Sequence, residues 1–184
     1  MPSMTDWLLV IDMQRAFADP PSPWAAPDFY TILPRVEKLI AAYKGRVILT
    51  RYVAPTPPYG ALRRYFEVWE QMLLPQDDPA WDLKLPGSDG IYVETRDRFS
   101  KWDDNMSKRV GPDATLTLCG VATECCVLAT ALAAIDDGRY VRVVSDACAG
   151  ATAQTHEQAL SVMGYAAPLV TCVTTEALLA DTVM

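Results

Sequence analysis

Six short runs of apolar, strand-favouring residues punctuate the chain: WLLVI (7–11), RVILT (46–50), IYV (91–93), TLTLC (115–119), YVRVVS (140–145) and PLVTCV (168–173). Most are continuous. A strand with one wet face alternates apolar and polar residues, whereas a strand covered on both faces does not. Between the runs lie stretches with helical spacing. In ILPRVEKLIAAY, Ile32, Val36, Leu39, Ile40 and Tyr43 fall near one face. TAQTHEQALSVMGY (152–165) has similar spacing, and 61–73, 103–110, 124–137 and 174–180 are further candidates. Strand alternating with helix predicts a three-layer α/β/α domain, with a mostly parallel sheet of about six strands and helices on both faces. A chain of 184 residues suits one such domain. We therefore expect a single domain over 1–184.

Composition removes several function classes. Apolar residues make up 51% and charged residues 21%, with a formal net charge of −7. No basic stretch could follow a phosphate backbone or seek an anionic membrane surface, so neither nucleic acid nor membrane is an expected partner. No run reaches the ~18–20 apolar residues that span a bilayer. The leading stretch MPSMTDWLLVIDMQ has no basic start, and Asp12 interrupts its apolar run, so it does not read as a signal peptide. The five cysteines are odd in number, and four lie in or beside apolar runs, which suits reduced thiols in the cytoplasm. With one histidine and no CxxC, neither a zinc site nor a redox dithiol is supported, and no metal or cofactor is expected.

Two long connections interrupt this economy: 14–30 after the first run and 53–90 after the second, both rich in proline and aromatic residues. In an open α/β sheet, ligands bind at the carboxyl ends of the strands, where both loops begin. Phe17, Trp24, Tyr52, Tyr59 and Trp81 are therefore candidate pocket walls for a small-molecule substrate, with Phe17, Trp24 and Tyr59 assigned to substrate binding.

The segment TLTLCGVATECCVLATALAAIDDG (115–138) carries adjacent cysteines. If 124–137 is an α-helix, Leu128, Ala131, Leu132 and Ile135 share one face. Cys125 lies within about 60° of that stripe and Cys126 roughly 160° away. Periodicity thus gives Cys125 to packing and leaves Cys126 without a core role. Cys126 also sits in the first helical turn after a strand, where unpaired N–H groups and the helix dipole favour a thiolate. A nucleophilic thiol needs a proton acceptor. His156 reads as a residue on a helix face or first turn. Asp12 ends the buried run WLLVID and is the stronger candidate.

At these residues the chain resembles the isochorismatase-like cysteine hydrolases, which include nicotinamidases and N-carbamoylsarcosine amidase-like enzymes. LLVIDMQRAF (8–17) is similar to the family's first strand with its catalytic Asp. RFSKWDDN (98–105) is similar to its Ser-Ala-Phe segment, and LCGVATECCVLATALAAIDDGRYVRVVSDACAG (118–150) to its nucleophile block. The resemblance implies Asp12 as general base, Cys126 as nucleophile, a cis peptide between Val121 and Ala122, and an oxyanion site formed by the Ala122 and Cys126 amides. It also implies a homo-oligomer. The family's catalytic Lys lies four residues before the Ser of its segment, which here makes Arg96 the third catalytic residue; Lys101, in the usual Ala position, is a lesser substitute. The segment TRYVAPTPPYG lacks the histidine of the nicotinamidase metal cluster, so no metal is implied. Members that open the isochorismate vinyl ether lack the nucleophilic Cys, so Cys126 points to C–N bond hydrolysis. The resemblance leaves a rival: because Arg cannot carry a proton at neutral pH, the chain could be a non-catalytic binder on the same fold. A redox pair of vicinal thiols is a third reading, opposed by the strain of a disulfide between neighbours.

Overall fold

The computed structural model describes residues 5–180; the first four residues of the leading stretch and the last four of the chain lie outside it. Among the described residues, six strands are interspersed with seven α-helices: β1 Asp6–Ile11, α1 Arg15–Ala18, α2 Phe29–Tyr43, β2 Val47–Tyr52, α3 Leu62–Val68, β3 Tyr92–Arg96, α4 Asp104–Val110, β4 Thr115–Val121, α5 Leu128–Asp136, β5 Val141–Ala149, α6 Ala153–Gly164, β6 Val170–Val173 and α7 Thr175–Ala180. Each apolar run forms a strand.

The sheet is wholly parallel, in the order β3-β2-β1-β4-β5-β6. This is the covered parallel sheet of an α/β domain that the alternating runs predict. Its core strands β1 and β4 are buried almost throughout, which is why their sequences do not alternate. On α2, Phe29, Ile32, Val36, Leu39 and Tyr43 are buried, successive steps of three and four residues that keep one face of a helix on a sheet.

The strand order also locates the site. From β1 the chain runs outward through β2 to β3, then returns to the other side of β1 and runs outward again through β4, β5 and β6. β1 and β4 are neighbours whose connections leave in opposite directions, and a crevice opens at their carboxyl ends. Asp12 follows one of these strands and Cys126 follows the other. Gly120 allows the close approach between them. Its φ is +114°, and a Cβ there would lie 2.1 Å from the Ile11 carbonyl oxygen, so no other residue fits.

Candidate active site

Asp12 is fully buried, with a φ of 47° that non-glycine residues seldom adopt. Thr50, near the end of β2, holds it there. The Asp12 amide donates to Thr50 Oγ1 (3.1 Å), and the Thr50 hydroxyl donates to Asp12 Oδ1 (2.6 Å). The second carboxylate oxygen, Oδ2, lies 2.9 Å from Lys101 Nζ, and neither side chain has any exposure. Removing one member of such a pair would strand the other charge in the interior at a cost of about 3–5 kcal/mol.

Lys101 is held as firmly as Asp12. Its ammonium also donates to the Arg98 carbonyl (2.8 Å) and lies 5.0 Å from the centre of the Tyr52 ring. Its backbone amide donates to Thr130 Oγ1 (2.9 Å), and that hydroxyl donates to the Cys126 carbonyl (2.6 Å). One α5 side chain thus ties the Lys101 segment to the Cys126 backbone. Burial pushes the Cys126 thiol well above its ordinary pKa; the Lys101 ammonium opposes this, while Asp12 reinforces it by charge and by hydrogen bonding. The resting thiol is therefore protonated.

Arg96 does not take part in this ion pair. It ends β3, where its guanidinium pairs with Glu94 on its own strand and with Asp103 Oδ2 (2.8 Å) at the start of α4. Asp103 also caps α4, accepting from the amides of Asn105 and Met106. Two carboxylates claim Arg96, so the cation beside Asp12 comes from Lys101, five residues further on. The sequence carried part of this signal: residues two apart on a strand share a face, so Glu94 and Arg96 were placed to pair.

The periodicity argument for the two cysteines also needs correction. Thr123–Val127 winds as a π-helix, and only from Leu128 does the chain run as an α-helix. The wider turn shifts every side chain relative to an α-helical wheel. The buried residues are Thr123, Cys126, Val127, Thr130, Ala131 and Ala134, whereas Leu132 is exposed. Cys126 is 3% exposed on the inward face, and Cys125 is half-buried. His156 is in the first turn of α6, where its Nδ1 meets Thr123 Oγ1 (2.8 Å) and fastens the π-helical turn to that helix. The peptide between Val121 and Ala122 is cis.

A cavity of about 160 Å³ opens over this floor. Phe17, Trp24, Tyr52, Tyr65, Trp69 and Phe99 form its walls, and Ala122, Glu124, Cys125 and Cys126 lie at its base. Trp24 is the hub, stacked on Phe17 (centroids 5.9 Å apart, planes 11° apart) and edge-on to Tyr52 (5.8 Å). Trp81 packs beneath, fully buried. Tyr59 is not a wall: it is 46% exposed and donates to Asp97 Oδ2 (3.2 Å). Tyr65, Trp69 and Phe99 were not expected from the sequence, because they come from a helix, its end and a β3–α4 turn whose placement no local pattern fixes. Gln14 was missed too. Fully buried, it accepts from the Tyr52 amide (2.8 Å) and donates to the carbonyls of Tyr52 (2.8 Å) and Trp81 (2.7 Å). Among the described residues, no group of three or more His, Cys, Asp or Glu side chains is placed to hold a metal ion.

Comparison with known proteins agrees with this architecture. The isochorismatase domain profile matches residues 6–177. The isochorismatase domain-containing protein 2 of Xenopus laevis is 34% identical over 80 residues, which cover 42% of this chain and 39% of that relative; the match thus spans well under half of its length. Among solved structures, a cysteine hydrolase from Pseudomonas syringae superposes with a TM-score of 0.84 at 19% identity, covering 98% of this chain and 93% of the other. An isochorismatase family protein from Desulfovibrio vulgaris gives 0.83 at 24% identity, covering 99% and 100%. A nicotinamidase/pyrazinamidase from Acinetobacter baumanii gives 0.77 at 23% identity, covering 97% and 100%. At these identities the solved structures speak to the fold, and the family rests on the profile that runs through nearly the whole chain. The chain therefore belongs to the isochorismatase domain family.

Proposed function

We propose that this hydrolase cleaves a C–N bond of a small amide, ureido or carbamoyl compound, with Cys126 as nucleophile, Asp12 as general base and Lys101 as the fixed cation. The observation that carries the reading is the fully buried Asp12–Lys101 ion pair, 2.9 Å across, acting on a buried thiol at the base of an aromatic cavity. Asp12 removes the Cys126 proton as the sulfur attacks the substrate carbonyl carbon. The Ala122 and Cys126 amides receive the developing oxyanion. The C–N bond then breaks, Asp12 returns its proton to the departing nitrogen, and a thioester remains. Asp12 next takes a proton from water as the water oxygen attacks the thioester, then passes that proton to the departing sulfur, so that the acid leaves and the thiol and carboxylate are restored. Lys101 keeps the carboxylate aimed in a dry site, and its ammonium lowers the energy of the thiolate. Arg96 has no part in these steps. The non-catalytic alternative rests on Arg96 standing where the family has Lys; a lysine at position 101, paired with Asp12, weighs against it.

The test is trapping. Intact-mass measurement after mixing with a panel of small amides should show an acyl adduct that Cys126→Ala abolishes, together with ammonia or amine release. An adduct that survives the substitution refutes the assignment.

A further inference from the structure

The chemistry above leaves two buried donors in the cavity wall without a role. Tyr52 is 2% exposed, and its hydroxyl has no hydrogen-bond partner among the described residues. The indole Nε1 of Trp24, on the adjoining ring, is also buried and unpartnered. Both side chains line the cavity that contains Cys126. Leaving a buried donor unsatisfied costs about 1–3 kcal/mol, and two in one wall call for an explanation. Packing does not provide it, since a phenylalanine at position 52 would keep the same ring contacts without the penalty.

The Tyr52 ring is also held in place. Gln14 bonds to its amide and its carbonyl, the Trp81 and Trp24 rings stand edge-on at 5.7 and 5.8 Å, and the Lys101 ammonium sits 5.0 Å from its centre. A donor fixed in this way is set up for a ligand atom and is not free to turn toward solvent.

We propose that the Tyr52 hydroxyl and the Trp24 indole N–H form a subsite that reads a hydrogen-bond acceptor. The compound cleaved here then carries, besides its scissile carbonyl, a second acceptor such as a ring nitrogen or an ether or carbonyl oxygen, within a flat, uncharged, otherwise apolar group. This inference rests on the cavity being the substrate site. Six aromatic side chains supply the flat apolar surface. Glu124 is the one charged side chain among the described lining residues, so a substrate carboxylate would be repelled and would find no cation in the wall. The volume suits one six-membered ring, since an apolar cavity of about 150 Å³ takes up benzene. Burial, with smaller contributions from Tyr65, Cys126, Asp97 and Asp12, keeps the Tyr52 phenol well above its ordinary pKa, so it stays a donor throughout the neutral range.

The experiment uses calorimetry on Cys126→Ala protein, with benzamide and the three pyridinecarboxamides as probes. These differ only in whether and where the ring carries an acceptor. At least one pyridine isomer should bind about 10- to 100-fold more tightly than benzamide. Tyr52→Phe, added to that background, should reduce the ratio to about threefold or less by weakening the pyridine isomer alone. Trp24→Phe is the second variant and should reduce it in part. Equal binding of all four probes, a preference that survives both substitutions, or no binding of any probe overturns the proposal. Ammonia release from the unsubstituted protein is measured in parallel. A ring-nitrogen preference without turnover would sink the hydrolase mechanism and keep the acceptor subsite; turnover without the preference would do the reverse.

Discussion

A single lysine carries the catalytic reading at the level of individual residues. The placement of Asp12 and Cys126 was legible in the sequence, because one ends a buried apolar run and the other follows a strand and a tight turn. Lys101 was not, because it lies in an irregular turn between β3 and α4 where no periodicity reports side-chain direction. Which cation reaches Asp12 is decided by competition. Glu94 and Asp103 hold Arg96 outside the site, while Thr130 and the Arg98 carbonyl draw Lys101 inward. Lys101→Met should therefore lower kcat/KM by about 10²–10⁴-fold, the usual contribution of a group that governs proton transfer. It should also destabilise the fold by about 3–5 kcal/mol, because Asp12 would be left buried and unpaired. Adding Asp12→Asn should restore much of that stability and none of the activity. Arg96→Met, measured beside them, should leave turnover within about threefold, as expected for a guanidinium that pairs with Glu94 and Asp103 and not with Asp12. Steady-state kinetics and urea unfolding separate the two effects, and a catalytic loss in Arg96→Met alone would return Arg96 to the site.

Among the elements, the informative one is the junction of β4 and α5. Reading 124–137 as one α-helix assigned the inward face to Leu128, Ala131, Leu132 and Ile135; Ala131 is indeed buried, but the π-helical turn at Thr123–Val127 puts Cys126, Thr130 and Ala134 inside with it. No residue type announces a π turn, so a helical wheel drawn across one fails. The strand before it was easier to read, yet its tightest constraint is Gly120, where a side chain would collide with the Ile11 backbone. Gly120→Ala should cost about 3–5 kcal/mol. Gly138→Ala should cost about 1–2 kcal/mol, because its φ of +80° is strained but the space around it is open. Denaturant midpoints measure both, and similar losses would mean that the close approach of β1 and β4 is not what Gly120 provides.

For the molecule as a whole, the sheet was the most legible part. Continuous apolar runs alternating with helical spacing allow few arrangements other than a covered parallel sheet, and all six runs became strands. The cavity was half legible: Tyr52 ends β2 and Phe17 and Trp24 come from the aromatic loop that begins after β1, whereas Tyr65, Trp69 and Phe99 reach the site through the placement of α3 and the turn after β3. Buried thiols give the whole fold a dependence on alkali. Burial raises Cys119 and Cys126 well above the ordinary thiol pKa and Cys148 to about 12. In the unfolded chain these groups ionise near pH 8.5. Below that pH both states keep the protons and the stabilisation is fully present. Above it, the unfolded chain releases protons first, and stability falls by about 1.4 kcal/mol per pH unit for each thiol until its folded pKa is passed. The unfolding free energy should therefore decline from pH 8.5 to 10.5, and Cys148→Ala should flatten the slope by about one thiol's share. A curve unchanged by that substitution would assign the decline to other groups.

The two long aromatic loops do not hang free of each other. Gln14, at the root of the first, is bonded on one side to the end of β2 and on the other to the Trp81 carbonyl deep in the second. Pulling either loop outward breaks that three-way knot, so the pair behaves as one rigid jamb. Any widening of the entrance then falls to Phe99, on the turn after β3, which meets Tyr65 edge to face and already looks out to solvent.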